Sequence, residues 1–181
     1  MVKEIIIAGF GGQGVLSMGK ILAYSGLMED KEVTWFPSYG PEQRGGTSNV
    51  TVILSDERIS SPIVNHFDVV IALNQPSLVR FISSLKPGGI LIFDPNSITE
   101  VPQRNDISIY SVAATEKAVE MKNPKLMNMV VLGGLLKILP LVRIENVMKG
   151  LKKSLPQRHH ALLPVNEEAI IEGMGIIKAY Q

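Results

Sequence analysis

The sequence contains no cysteine. That excludes disulfides, thiolate metal sites, cysteine-ligated iron–sulfur clusters and cysteine nucleophiles, so any cluster that works with this chain is held by another one. Excess charge is also missing. Lys and Arg number 18 against 17 Asp and Glu, a formal +1, which gives no bulk attraction for nucleic acid or an anionic membrane. A phosphate site, if there is one, has to be local. Long apolar runs are absent too: Met129 to Leu136 is cut by Lys137, well below the roughly 20 residues of a membrane span. The run before Gly9 is too short for a signal-peptide core, so a cytoplasmic location is expected.

What is present is apolar. At 45% hydrophobic residues, 181 positions support one buried core, and the reading is a single domain over 1–181. Ile5-Ile6-Ile7-Ala8 reads as a strand buried on both faces, and Val15 to Met28 as a first helix starting near Gly14. Val33 to Phe36 reads as a second strand stopped by Pro37, and Thr47 to Leu54 as a β-branched third strand. A short return strand is expected over Arg58 to Val64, and a buried strand over Asp68 to Leu73. Asn74 with Pro76 signals a helix cap, and that helix is expected to end at Lys86-Pro87-Gly88-Gly89. Ile90 to Phe93 and Ile107 to Val112 complete the strands. The remainder reads as helices over 115–121, 126–139, 144–155 and from Asn166 to the end. This alternation predicts an α/β fold, a Rossmann-like doubly wound, mostly parallel sheet with a helical C-terminal part.

Gly9-Phe10-Gly11-Gly12-Gln13-Gly14 follows the first strand and opens the first helix, the context a phosphate-binding glycine loop requires. Two roles stay open for it: backbone approach to a phosphate, or close packing of helix on sheet. An NAD site would need an acidic residue closing strand two to hold the ribose hydroxyls. That strand ends in Val33-Thr34-Trp35-Phe36-Pro37, and Glu29, Asp30 and Glu32 all precede its end, which argues against a nicotinamide dehydrogenase.

The most informative segment is the next loop. Ser38-Tyr39-Gly40-Pro41-Glu42-Gln43-Arg44-Gly45-Gly46 combines a proline and three glycines with projecting Tyr, Glu and Arg side chains, and it is expected to face one crevice with the first loop. The stretch FPSYGPEQRGGTSNV, about twenty residues behind GFGGQG, resembles the gamma subunit of 2-oxoacid (2-ketoacid):ferredoxin or acceptor oxidoreductases. The form of the loop looks closer to the 2-oxoglutarate and 2-ketoisovalerate branch than to the pyruvate branch. Ser61-Pro62-Ile63, Ala72-Leu73-Asn74-Gln75-Pro76-Ser77, Lys86-Pro87-Gly88-Gly89, Asn128-Met129 and Leu132-Gly133 carry the resemblance along the chain.

The resemblance implies a subunit that is inactive alone. It would work beside alpha, beta and, in some assemblies, delta subunits that hold thiamine diphosphate, magnesium and iron–sulfur clusters and pass electrons to ferredoxin. This chain would help to bind coenzyme A, with the residues of the first loop as cofactor-binding candidates. Ser38, Tyr39, Gly40, Pro41, Glu42, Arg44, Gly45 and Gly46 form an interface or ligand loop, with both roles open. No catalytic residue and no metal ligand is assigned, and no nucleic acid or membrane partner. His66, His159 and His160 show no nucleophile–base pairing and read as surface or capping groups, and the helical methionines read as core. A freestanding nucleotide-binding Rossmann-like enzyme and a non-catalytic scaffold module are the alternatives.

Overall fold

The structure, a computed structural model, describes residues 1–39 and 46–180. Its centre is β1 (Val2–Phe10), whose Ile5, Ile6, Ile7 and Ala8 are fully buried. Helix α1 (Val15–Leu27) follows, then β2 (Glu32–Tyr39), β3 (Thr47–Ser55), β4 (Phe67–Ala72), α2 (Gln75–Phe81), β5 (Leu85–Phe93) and β6 (Ser108–Ser111). Helices α3 (Ala114–Glu120), α4 (Met127–Ile138), α5 (Ile144–Ser154) and α6 (Leu163–Ile176) and a short β7 (Lys178–Ala179) complete the chain.

The seven strands form one mixed sheet in the order β2-β3-β1-β4-β5-β6-β7. Parallel pairing runs from β1 through β4 and β5 to β6, while β1–β3, β2–β3 and β6–β7 are antiparallel. The mostly parallel sheet expected from the sequence is therefore corrected to an evenly mixed one. Buried strands of both senses read as the same apolar run, so β3 did not disclose its direction. The α1 crossover leaves one position empty, and β3 fills it by returning from β2 in a hairpin.

The two faces are covered unequally. One carries α1, α3, α4, α5 and α6 over Ile5, Ile7, Val50, Val52, Val69 and Ile71. The other carries α2 and the chain around Ile98 over Ile6, Val70, Leu91 and Phe93. Helix α4 is enclosed, with every residue from Met127 to Leu136 buried, and its tightest neighbour is α6. A methyl group on Gly133 would overlap the Ile170 carbonyl, and one on Gly173 the Val130 carbonyl. The two backbones touch there because neither residue has a Cβ.

Several local expectations are corrected. Pro37 lies inside β2 opposite Val50 rather than ending it, a place open to proline because β2 is an edge strand of the sheet. Residues 58–64 form no strand. Helix α2 stops at Phe81, a 3-10 turn spans Ile82–Ser84, and Lys86 to Gly89 open β5. Lys86 is held there by Glu4 at 2.6 Å and Asp68 at 3.0 Å. Helix α6 starts at Leu163 with Pro164 in its first turn and ends at Ile176, and Tyr180 beyond β7 sets its ring edge-on to Phe93 at 5.1 Å. Among the described residues no helix is long and apolar enough to cross a membrane.

The α4–α6 contact yields a paired test. Gly133→Ala must force two backbones apart and is expected to cost about 3 kcal/mol. Gly175→Ala, on the same α6 but with open space where its Cβ would go, is expected to stabilise by about 0.5 kcal/mol. Urea unfolding of the two variants beside the parent chain measures both.

Candidate functional site

The carboxyl end of β1 delivers the glycine loop to the centre of the sheet's upper edge. Gln13 organises it: Oε1 accepts from the Phe10 N–H at 2.7 Å and Nε2 donates to the Leu73 carbonyl at 3.0 Å, lashing the loop to the end of β4. Gly9 is a packing glycine, since a Cβ there would sit 2.5 Å from Gln13 Oε1. Gly14 caps α1 at φ 74 and abuts Asn128. Gly12, at φ 97 with nothing near its missing Cβ, is required by backbone conformation alone. Packing thus accounts for Gly9 and Gly14, and backbone conformation for Gly12 and Gly14.

The N–H of Gly11 donates to the Gly46 carbonyl at 3.1 Å and that of Gln13 to Phe10 at 3.2 Å. The donors the loop can still offer a ligand are those of Gly12, Gly14 and the first turn of α1. The Gly11–Gly46 bond also joins the two glycine-rich loops, as the sequence led one to expect. The route is the β2–β3 hairpin, which returns beside β1 with Thr47 opposite Phe10. Ser38 pairs with Asn49 and Tyr39 with Ser48. Gly40, Pro41, Glu42, Gln43, Arg44 and Gly45 lie outside the described residues.

Beside the loop, on the face that carries most of the helices, opens a cavity of about 400 Å³. Its floor is apolar, with Ile21, Leu126, Met129, Leu151 and Leu155. Its rim is polar: Gly12, Gln13 and Gly14 from the loop, Ser17 from α1, Lys125 from the turn before α4, Asn128 from the first turn of α4, and His159. No Asp or Glu is among its described lining residues. The amino ends of α1 and α4 converge here, tied by Asn128 Nδ2 donating to the Gly14 carbonyl at 3.3 Å. Asn123 Oδ1 accepts from the Lys125 N–H at 3.2 Å and starts the turn into α4. Arg158 Nε donates to His159 Nε2 at 3.2 Å. Two helix amino ends, a lysine and an imidazole over an apolar floor suit an anionic ligand with an extended apolar part.

Reading the sequence missed Lys125 and His159 as site residues. His159 had been set aside as a surface group, and only the resemblance pointed to Asn128. Most of the cavity's lining comes from the last third of the chain, which no motif connects to residues 9–14.

The wall formed by α5 is anchored by Glu29 at the end of α1. Its Oε1 accepts from the Arg143 N–H at 2.5 Å and from Asn146 Nδ2 at 3.0 Å. Burial works to raise the Glu29 pKa, but these hydrogen bonds and the Arg143 guanidinium together hold it below the usual value of 4.5.

A sequence profile described as "Pyruvate ferredoxin/flavodoxin oxidoreductase" matches residues 4–176. The "2-oxoglutarate synthase subunit KorC" of Methanothermobacter marburgensis is 35% identical, covering 96% of this chain and 99% of that protein. The "Ketoisovalerate oxidoreductase subunit VorA" of the same organism is 43% identical over 72% of this chain, and the match spans 27% of VorA's length. A crystal structure of the keto/oxoacid ferredoxin oxidoreductase gamma subunit from Geobacter sulfurreducens superposes with a TM-score of 0.83 at 26% identity, covering 98% of this chain and 99% of that one. The 2-oxoglutarate:ferredoxin oxidoreductase of Magnetococcus marinus, solved with 2-oxoglutarate, coenzyme A and succinyl-CoA bound, gives 0.88 at 26% identity, covering 97% of this chain and 31% of that one.

The Glu29 anchor predicts an acid-sensitive wall. A carboxylate with a lowered folded pKa adds stability that is present above its unfolded pKa and is lost as pH falls through the folded one. The urea midpoint of the parent chain should therefore fall from pH 5 downward, and Glu29→Gln should flatten that part of the profile. An unchanged slope would remove Glu29 from the account.

The profile match over nearly the whole chain, the full-length KorC relative and the shared fold lead to one conclusion: this chain belongs to the pyruvate ferredoxin/flavodoxin oxidoreductase family, as a chain of the gamma-subunit type.

Proposed function

We propose that this chain is the gamma-type subunit of a thiamine-diphosphate and iron–sulfur dependent 2-oxoacid:ferredoxin oxidoreductase, on the 2-oxoglutarate or 2-ketoisovalerate side of the family, and that it anchors coenzyme A. The observation that carries this reading is the carboxylate-free cavity between the amino ends of α1 and α4. Coenzyme A brings a diphosphate, a ribose 3′-phosphate and a long pantetheine arm. Phosphate oxygens suit the N–H groups of Gly12 and Gly14 with Lys125 close by, and the less polar parts suit a floor of Ile21, Met129 and Leu151. The Magnetococcus marinus relative, crystallised with coenzyme A, supports the choice of ligand.

Chemistry on the oxoacid belongs in this reading to the alpha and beta subunits, which hold the thiamine diphosphate and magnesium. Clusters belong to cysteine-bearing partners. The loop from Ser38 to Gly46 is the surface that meets those subunits. A freestanding dinucleotide enzyme fits the sheet poorly. The neighbour of β1 on the α1-crossover side is the antiparallel β3, and Glu32 sits at the end of β2 far from the glycine loop, opposite Ser55.

The isolated chain is expected to reduce no acceptor when supplied with oxoacid, thiamine diphosphate and coenzyme A, whereas the assembled oxidoreductase turns over. In the assembly, Lys125→Ala should raise the KM for coenzyme A roughly tenfold, the effect of losing one charge-assisted hydrogen bond, and leave the decarboxylation half-reaction intact. An unchanged KM would move coenzyme A away from this cavity. Arg44→Ala should leave the melting temperature of the free chain within about 2 °C and weaken capture of the partner subunits. Normal assembly would take the second loop out of the interface.

A further inference from the structure

The polar side chains at the carboxyl ends of the parallel strands are almost completely satisfied. Gln13 uses both ends of its amide. Gln75 donates to the Glu100 carbonyl at 2.8 Å and accepts from the N–H groups of Thr99 and Glu100. Asp94, 1% exposed, accepts from Asn96 N–H through one oxygen and from Thr115 N–H and Oγ1 through the other. Asn74 breaks this pattern. It is 3% exposed, its Oδ1 accepts from the Ser77 N–H at 2.8 Å, and its Nδ2 has no partner. Among the described residues only Thr34 Oγ1 shares that condition, and it belongs to the far edge strand.

The helix cap fixes which end of the amide is which. Only an oxygen can accept from Ser77 N–H, so the orphan is the NH₂ group, a donor that requires an acceptor. A buried donor without one is costly, and native folds seldom keep one without a use for it. The position of Asn74 is also specific. Ala72 lies opposite Ala8, and the Leu73 N–H donates to the Ala8 carbonyl at 2.9 Å, so the ladder continues past β4. Beyond that bond the Gln13 amide stands between the two chains, joining the Phe10 N–H to the Leu73 carbonyl, and Asn74 is the residue that follows Leu73. Ligands of open α/β sheets bind at this edge, outside the carboxyl ends of the strands.

We propose that Asn74 Nδ2 is a ligand-binding donor, which takes an acceptor oxygen of the coenzyme A molecule held at the glycine loop. The inference rests on the coenzyme A reading above and adds a contact on the other side of the loop from Lys125. Three parts of that ligand supply acceptor oxygens: the diphosphate, the ribose 3′-phosphate and the amide carbonyls of the pantetheine arm.

The test uses Asn74→Asp and Asn74→Ser in the assembled oxidoreductase. Both retain an oxygen to cap α2 and both lose the NH₂ group, and the serine avoids placing a new charge in the site. The expected result is a rise of about tenfold in the KM for coenzyme A in both variants, with the KM for the oxoacid, subunit assembly and the melting temperature of the free chain essentially unchanged. Pantetheine as acceptor and adenosine 3′,5′-bisphosphate as inhibitor separate the sources. A loss confined to coenzyme A and pantetheine assigns an arm carbonyl. A loss with coenzyme A and with the bisphosphate, while pantetheine is unaffected, assigns a phosphate group. Unchanged KM for coenzyme A in both variants overturns the proposal and leaves the amide to a trapped water, and loss of assembly overturns it in favour of a partner's carbonyl. If Lys125→Ala raises that KM while the Asn74 variants do not, only this inference fails; if neither does, the coenzyme A reading fails with it.

Discussion

The fold depends on the burial of β1 between two strands that approach it in opposite senses. Ile5, Ile6 and Ile7 have neither face nor edge exposed: β3 pairs antiparallel on one side, β4 parallel on the other, and apolar layers close both faces. A strand so enclosed cannot slip by one residue without exchanging its two faces, so its end is placed firmly. The glycine loop starts at that end and inherits the placement. Gln13 adds the last restraint by holding the loop to Leu73 of the neighbouring strand.

Crowding of the helices onto one face follows from the same sheet. Five of the six α-helices share that face, and α4 can be enclosed among them only because Gly133 and Gly173 bring α4 and α6 to backbone contact. Gly150 does a related job where α5 meets α1, with the position of its missing Cβ 2.9 Å from Ser25 Oγ. The cavity lies where this packing leaves the amino ends of α1 and α4 side by side. Its positive character comes from backbone dipoles and the Lys125 ammonium, in a chain whose charges otherwise nearly cancel.

The proposed division of labour places cluster chemistry outside this chain. It has no cysteine, and at the sheet edge Gln13, Gln75 and Asp94 spend their hydrogen bonds on holding loops, while the Asn74 NH₂ group is left without a partner. Such an edge is held rigid by its own hydrogen bonds. Rigidity of this kind lowers the ordering cost of binding and fixes where the reactive end of a long ligand points.

Much of this was legible in the sequence because it is local. The apolar run before Gly9, the helix opening at Gly14 and the cap at Asn74 with Pro76 each depend on residues within a few positions of one another, and each appears where it was expected. The absence of cysteine and the two glycine-rich loops likewise bounded the chemistry before any fold was known. Strand direction was not legible, since a buried strand carries the same pattern whichever way it runs. Pro37 read as a strand end because nothing nearby in sequence marks β2 as an edge. Lys125, Asn128 and His159 lie more than a hundred residues from Gly14, and only the packing of α4 and the chain after α5 against α1 places them at its side. The sequence alone determined the elements and the loop that starts the site; tertiary structure decided which distant side chains complete it, because hydrogen bonds and packing across the core carry no periodic signature along the chain.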